Sequence, residues 1–323
     1  MAKIVALGAG RMGRGIGQVF AYAGRDVTIL DFKDRPAAES EKLLAAAKAE
    51  VEENLKFLVS LDVLAAEKIP AILERISVAK MSEAKDVLGD AEYIFEGVPE
   101  VPDAKEDAFK RLCEMIPDAA VVASTTSTML SDDLARHMTK PERFLNAHFL
   151  NPAYLIPLVE VSPCAETDEA VVERFTQLLK EIGKEPVRCK ASPGYIVPRL
   201  QSTAMNEAIR MVEEGVATPE DIDRAVRVGF GIRYATMGLI EFTDWGGVDI
   251  LYYANKYLSA NLDPRYASPP SVAEKMEKGE LGLNAGKGYY DFGEMDVDAY
   301  RREKLSTFIA LLRKLDLMPK ATD

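Results

Sequence analysis

Histidine is almost missing from this chain: there are two in 323 residues, His137 and His148. Any chemistry that needs an imidazole must therefore run through one of two positions. Cysteine is scarce too. Cys113, Cys164 and Cys189 are widely scattered, which excludes a disulfide framework and a thiolate metal site. It fits a reducing compartment, here expected to be the cytoplasm, with each thiol a small apolar filler. No apolar run reaches the roughly 20 residues of a membrane span, and nothing at the N-terminus reads as a leader. Cations are in deficit, with Lys plus Arg at 40 against Asp plus Glu at 52 and a net charge of −12. That field argues against nucleic acid or an anionic membrane as partner. It leaves room for a small anionic molecule held by local cations or helix N-termini.

What is present points to two domains. Apolar content of 48% supplies ample core, and the length suits one domain over 1–190 and another over 191–323. Strand-like and helix-like stretches alternate through the first. Helix formers run from Ala37 to Leu64 after Pro36 and continue over Glu67–Glu74, too long for one crossover helix, so a helical arm is expected there. Ser131 is expected to cap a helix, and Gly183 to end the helix Asp168–Ile182. After Pro193-Gly194 the strand pattern stops. Helices are expected over Pro198–Glu214, Leu239–Leu258, Pro270–Lys278 and Val297–Leu315, with Thr218 as an N-cap. The fold class is thus a doubly wound Rossmann-type α/β domain with a helical arm, followed by an all-α domain. Its apolar surplus suggests a homodimer.

The N-terminal strand Lys3–Leu7 is followed by G-A-G-R-M-G, Gly8 to Gly13 with Arg11 and Met12 inside it. Gly8 permits the tight turn, Gly10 lets a pyrophosphate approach the backbone, and Gly13 lets the helix lie against the sheet. The helix N-terminus offers free N–H groups to the phosphates. Asp31 closes the next strand, Val27–Leu30, where a carboxylate accepts ribose hydroxyls and repels a 2′-phosphate. NAD is therefore the expected cofactor over NADP, although Lys33 and Arg35 lie close by and oppose that preference.

His137 sits in a polar helix end and reads as a surface residue. His148 ends an apolar strand at the sheet edge where ligands of doubly wound folds bind. Glu160, twelve residues on, lies inside the apolar run Leu158-Val159-Glu160-Val161. An acid buried there needs a partner. Paired with His148, it fixes the tautomer and frees the other ring nitrogen to act as a base.

At this point the chain resembles the L-3-hydroxyacyl-CoA dehydrogenase family over nearly its whole length. The resemblance rests on the glycine loop with Asp31, on F-E-G-V-P-E with Lys105, and on S-T-T-S ending at Ser127. It extends to H-F-L-N-P at His148–Pro152, L-V-E ending at Glu160, P-G-Y-I-V at Pro193–Val197 and G-K-G-Y-Y-D at Gly286–Asp291. It implies a His148–Glu160 dyad with His148 as general base and Ser127 on the substrate oxygen. It also implies that Glu100, Lys105 and Asn151 line the NAD site, and that the reaction is reversible oxidation of a 3-hydroxyl in fatty acid metabolism, as in 3-hydroxybutyryl-CoA dehydrogenase.

The chain departs from that family in three places. Pro198 stands where the family has an Asn that reaches the substrate oxygen. The arm segment Asn54–Leu61 carries one Lys and much apolar surface, which weakens a coenzyme A site. Gly229–Ala235 contains Arg233 and, with Asn151–Glu160, resembles the branch of L-gulonate 3-dehydrogenase and lens lambda-crystallin. Arg233 could fork onto a substrate carboxylate, or pair with Glu241 or Asp244. A short-chain 3-hydroxyacyl-CoA is the expected substrate and a free 3-hydroxy acid the alternative. A non-catalytic role on this scaffold is opposed by the intact His148–Glu160–Ser127 set.

Overall fold

The computed structural model describes residues 2–319. Eight strands form one sheet: β1 (Ile4–Leu7), β2 (Val27–Leu30), β3 (Ile76–Ala79), β4 (Tyr93–Glu96), β5 (Val121–Ser124), β6 (Phe144–Phe149), β7 (Leu158–Pro163) and β8 (Glu185–Arg188). Their order is β3-β2-β1-β4-β5-β6-β7-β8. The first six run parallel, β7 is antiparallel to β6, and β8 is parallel to β7. β1, β4 and β5 are buried at every position, as expected of parallel strands covered on both faces.

Helices α1 (Arg11–Tyr22), α2 (Ala37–Ser60), α3 (Ile69–Glu74), α4 (Ala84–Leu88), α5 (Pro102–Cys113), α6 (Ser131–Ala135) and α7 (Glu169–Glu181) cover the sheet. Alternation in β4 assigns its two faces: Tyr93 and Phe95 join the core with Phe20, Phe149 and Phe175, while Ile94 joins Phe109 and Phe144 on the other side. Phe95 sits at the centre, its ring 5.1 Å from Phe20 and 5.6 Å from Phe175. Burying it fully contributes about 2–3 kcal/mol. The expected arm is α2. Leu44, Ala47, Val51, Leu55 and Leu58 recur at helical spacing and are buried in the same core as Ile16 and Phe20 of α1, so α2 packs along the nucleotide domain.

The chain separates into two compact units, one up to Ala204 and one from Met205. The break falls inside α8 (Val197–Glu213), which is followed by α9 (Pro219–Ala225), a π-helical turn over Val226–Phe230, α10 (Gly231–Tyr234), α11 (Leu239–Gly246), α12 (Val248–Asn261), α13 (Pro270–Lys278) and α14 (Val297–Lys314). Thr218 caps α9 by accepting from the Asp221 amide at 3.2 Å.

Two expectations are corrected. The helix expected over Leu239–Leu258 is two helices, because Gly247 adopts φ 109°, open to glycine and costly for other residues. Ser131 is the first residue of α6 rather than its cap. Its hydroxyl donates to the Pro163 carbonyl instead, at 3.1 Å.

The second unit explains G-K-G-Y-Y-D. Asp244 of α11 is buried and accepts from the amides of Tyr289 and Tyr290 at 3.0 and 2.7 Å. A Cβ on Gly288 would lie 2.2 Å from the Asp244 carboxylate. The second glycine of the motif is therefore a close approach to a buried acid.

Candidate active site

Two positions of the glycine loop after β1 admit only glycine without strain. Gly8 has φ 101°. A Cβ on Gly13 would lie 1.7 Å from the Gly8 carbonyl oxygen, so α1 can approach the turn only through glycine. Gly10 is different: a Cβ there meets nothing within 4 Å. No neighbouring protein atom excludes a side chain at Gly10, whereas a pyrophosphate laid on the backbone would. Gly10 is the N-cap of α1 and no side chain caps that end, an arrangement that could hold phosphate oxygens. Arg11 opens the helix, exposed, and Met12 packs against the core. Asp31, just past β2, is buried. Its Oδ2 accepts from Ser40 Oγ at 2.7 Å and lies 2.9 Å from Arg35 Nε.

At the other side of the sheet, antiparallel pairing sets His148 directly opposite Glu160. Residues so paired share a face, and their side chains meet with His148 Nδ1 2.7 Å from Glu160 Oε2. Glu160 is fully buried. Its Oε1 accepts from the amides of Ile196 and Val197, both at 2.8 Å, at the start of α8. Two amides and an imidazole thus satisfy the interior carboxylate. Pro198, the second residue of α8, lacks an amide hydrogen and fits a first helical turn. With Nδ1 committed, Nε2 is the imidazole nitrogen left for proton transfer.

Tyr195 completes this cluster. Its ring stacks on His148 with centroids 5.1 Å apart and planes 11° apart. Its hydroxyl donates to the Thr126 carbonyl and accepts from Asn146 Nδ2, each at 3.0 Å. Its φ of 44° lies in the left-handed region, which an aromatic residue occupies only when its surroundings hold it there. Burial pushes its phenol above the usual tyrosine range.

The S-T-T-S segment follows β5. Glu100 binds it twice, accepting from the Ser127 amide at 2.6 Å and from Thr126 Oγ1 at 2.9 Å. Ser127 is exposed and Asn151 is exposed just beyond β6. Lys105 is fully buried, with Nζ 3.0 Å from both carboxylate oxygens of Glu96 and 3.8 Å from Glu100. Glu96 also accepts from Ser124 Oγ at 2.5 Å and from the Val98 amide at 2.7 Å. The geometry therefore joins His148, Glu160 and Tyr195, and ties Tyr195 to the loop of Ser127 and Glu100. Arg233 is an exposed residue of the second unit. Its Nε donates to the Gly229 carbonyl at 2.9 Å and its guanidinium lies 4.9 Å from the Phe242 ring centroid. Among the described residues it pairs with neither Glu241 nor Asp244; Glu241 instead meets Lys304 at 2.7 Å.

Sequence reasoning missed Glu96, Asn146 and Tyr195. Glu96 ends an apolar strand as Asp31 does, and that acid was available as a signal. Asn146 and Tyr195 gave none, because their partners are set by the return of the chain at the start of α8.

A mostly parallel sheet with an open glycine turn, a buried acid at the end of its second strand and a carboxylate-backed histidine defines a Rossmann-type, dinucleotide-dependent oxidoreductase. Family comparison narrows this. Residues 3–192 match the 3-hydroxyacyl-CoA dehydrogenase NAD binding domain, and 194–292 match the 3-hydroxyacyl-CoA dehydrogenase C-terminal domain. A 3-hydroxybutyryl-CoA dehydrogenase of Bradyrhizobium diazoefficiens is 34% identical over 291 residues, 90% of this chain and 95% of that one. A 5-formyl-3-hydroxy-2-methylpyridine 4-carboxylate 5-dehydrogenase of Mesorhizobium japonicum is 28% identical over 316 residues, 97% and 98% of the two chains. The crystal structure of a 3-hydroxyacyl-CoA dehydrogenase from Archaeoglobus fulgidus superposes with a TM-score of 0.78 at 32% identity, covering 98% of this chain and all of the other. The chain belongs to the 3-hydroxyacyl-CoA dehydrogenase family and is an NAD-dependent oxidoreductase of that type.

Proposed function

We propose that this enzyme interconverts a short-chain L-3-hydroxyacyl-CoA, such as 3-hydroxybutyryl-CoA, and its 3-keto counterpart. The observation that carries the reading is the 2.7 Å contact between His148 Nδ1 and Glu160 Oε2. NAD, when bound, supplies the hydride acceptor or donor. Gly8, Gly10, Gly13 and the start of α1 hold its pyrophosphate, with Arg11 and Met12 at the rim, and Asp31 takes a ribose hydroxyl. Glu100 and Asn151 border the nicotinamide side, and Lys105 acts there through Glu96 and Glu100. His148 Nε2 accepts the proton of the substrate hydroxyl. Glu160 orients the ring and balances the imidazolium that forms. Ser127, its amide fixed by Glu100, offers its hydroxyl to the substrate oxygen.

A second reading, a free 3-hydroxy acid held through its carboxylate by Arg233, has support in Pro198, in the single lysine of Asn54–Leu61 and in the pyridine carboxylate named for the Mesorhizobium relative. Initial rates with 3-hydroxybutyryl-CoA, free 3-hydroxybutyrate and L-gulonate separate the two. Turnover of the free acids alone overturns the thioester reading. In either case His148→Gln should retain NAD binding and lose about 10²–10⁴ in kcat; near-normal turnover ends the dyad mechanism.

The same reading includes a homodimer. Met205, Ile209, Val212 and Val216 recur at helical spacing along and just beyond α8 and are exposed, a face of the kind that self-association covers. The three cysteines are unpaired, in keeping with a reducing compartment such as the cytoplasm and a role in fatty acid metabolism. Among the described residues, no helix is long and apolar enough to cross a membrane.

A further inference from the structure

Beside Asp31 lies a cavity of about 710 Å³ whose wall includes Lys33, Arg35, Lys80, Arg111, Asp34 and Asp107. Its volume falls within the roughly 300–1,000 Å³ of small-ligand sites. The charge is unusual for this molecule: four cations face two acids in a chain of net charge −12. The acid that would repel a phosphate is also partly neutralised. Asp31 Oδ2 already accepts from Ser40 Oγ at 2.7 Å and lies 2.9 Å from Arg35 Nε. Arg111 is held in place, its guanidinium 4.6 Å from the ring centroid of Phe32, the residue after Asp31. Its Nε donates to Asp107 at 2.9 Å. Lys80, just past β3, reaches out to Glu41 at 2.7 Å. Lys33 is exposed and makes no ion pair among the described residues.

We propose that this cavity accepts a phosphate on the 2′-oxygen of the adenosine ribose, so that the enzyme takes NADP as well as NAD. This rests on the placement of the cofactor ribose at Asp31. A phosphate on that ribose leaves the Asp31 edge toward the loops after β2 and β3 and toward α5, which are the segments that carry the four cations. The Ser40 hydroxyl, on the same wall, is a further donor. Charge-assisted contacts from Lys33 and Lys80 supply most of the affinity, with Arg111 held by Asp107 on the same wall, and the pairing of Asp31 with Arg35 removes much of the repulsion that an uncompensated carboxylate would impose.

Calorimetric titration tests this without any substrate, so its failure is distinct from failure of the proposed reaction. The probes are adenosine 2′,5′-bisphosphate, adenosine 3′,5′-bisphosphate and 5′-AMP. The unaltered chain should bind the 2′,5′-bisphosphate about tenfold more tightly than 5′-AMP, the gain expected of one charge-assisted contact. The gap should close to within about twofold in a Lys33→Glu, Lys80→Gln double variant. Equal or tighter binding of 5′-AMP to the unaltered chain overturns the proposal, as does a gap that survives in the double variant. Preference for the 3′,5′-bisphosphate also overturns it, since it would assign the cavity to the ribose phosphate of coenzyme A.

Discussion

Glu160 faces two ways: one carboxylate oxygen lies 2.7 Å from His148 Nδ1, and the other accepts two amides at the start of α8. The acid thereby couples the His148 imidazole to the backbone that starts α8. Replacing it by Glu160→Gln keeps the shape, leaves the carbonyl oxygen free for only one of these tasks and removes the charge. A drop of about 10²–10⁴ in kcat is expected, with the NAD dissociation constant, read by fluorescence titration, changed by less than about threefold. A parallel loss of NAD affinity would show that Glu160 supports the fold rather than the reaction.

The dyad was legible in the sequence because each partner breaks a pattern. His148 is one of two histidines, and Glu160 is an acid in an apolar strand. The glycine loop was legible because its constraints are local: the turn at Gly8 and the contact at Gly13 follow from residues five positions apart. What stayed hidden depends on distant pairings. Lys105 is expected only as a residue of the NAD site; its burial against Glu96 follows from where β4 sets that acid. Tyr195 stands in the sequence only as part of P-G-Y-I-V, and its stacking on His148 follows from where the chain returns. The break at Gly247 did have a local signal, the Gly246-Gly247 pair among poor helix formers, but the apolar pattern over Leu239–Leu258 outweighed it.

The Glu96–Lys105 pair offers a stability test. Both side chains are fully buried, and Glu96 has two further donors in Ser124 and the Val98 amide. Lys105→Met removes the cation and leaves an interior carboxylate uncompensated. Urea unfolding should show a loss of about 3–5 kcal/mol. Adding Glu96→Gln to Lys105→Met should recover part of that loss, because the residual amide carries no charge. A double variant no more stable than Lys105→Met alone would mean that the charge is not the source of the loss.

Lys184 supplies a pH dependence. It is buried, and its Nζ donates to the carbonyls of Ala153 and Ile156 at 2.5 and 2.8 Å, with no carboxylate partner among the described residues. Burial pushes its ammonium below the usual lysine range. Between that lowered value and the ordinary lysine value, the unfolded chain binds more protons than the folded one. Stability from this group therefore rises with pH across that window, at no more than about 1.4 kcal/mol per pH unit. Lys184→Met lacks this contribution. The difference in unfolding free energy, unaltered chain minus variant, should grow as pH is raised toward 10. A difference that is flat or shrinks with pH would show that the burial of this ammonium does not disfavour its charge.

Tyr195 separates stacking from hydrogen bonding. Tyr195→Phe keeps a ring on His148 and removes the hydroxyl that links Asn146 to the Thr126 carbonyl. Asn146 still donates to Met129 at 2.9 Å, so the expected loss of stability is about 1 kcal/mol. The catalytic effect should be small, less than about tenfold in kcat, since the segment of Ser127 stays anchored through Glu100. Tyr195→Ala removes the shelf as well and lets the imidazole tilt. Misplacement of a reacting group is costly, and a fall of about 10² in kcat is expected with KM little changed. Steady-state kinetics of the two variants, beside their melting curves, decide the matter. If the phenylalanine and alanine variants lose kcat equally, the hydroxyl rather than the stacked ring is what positions His148.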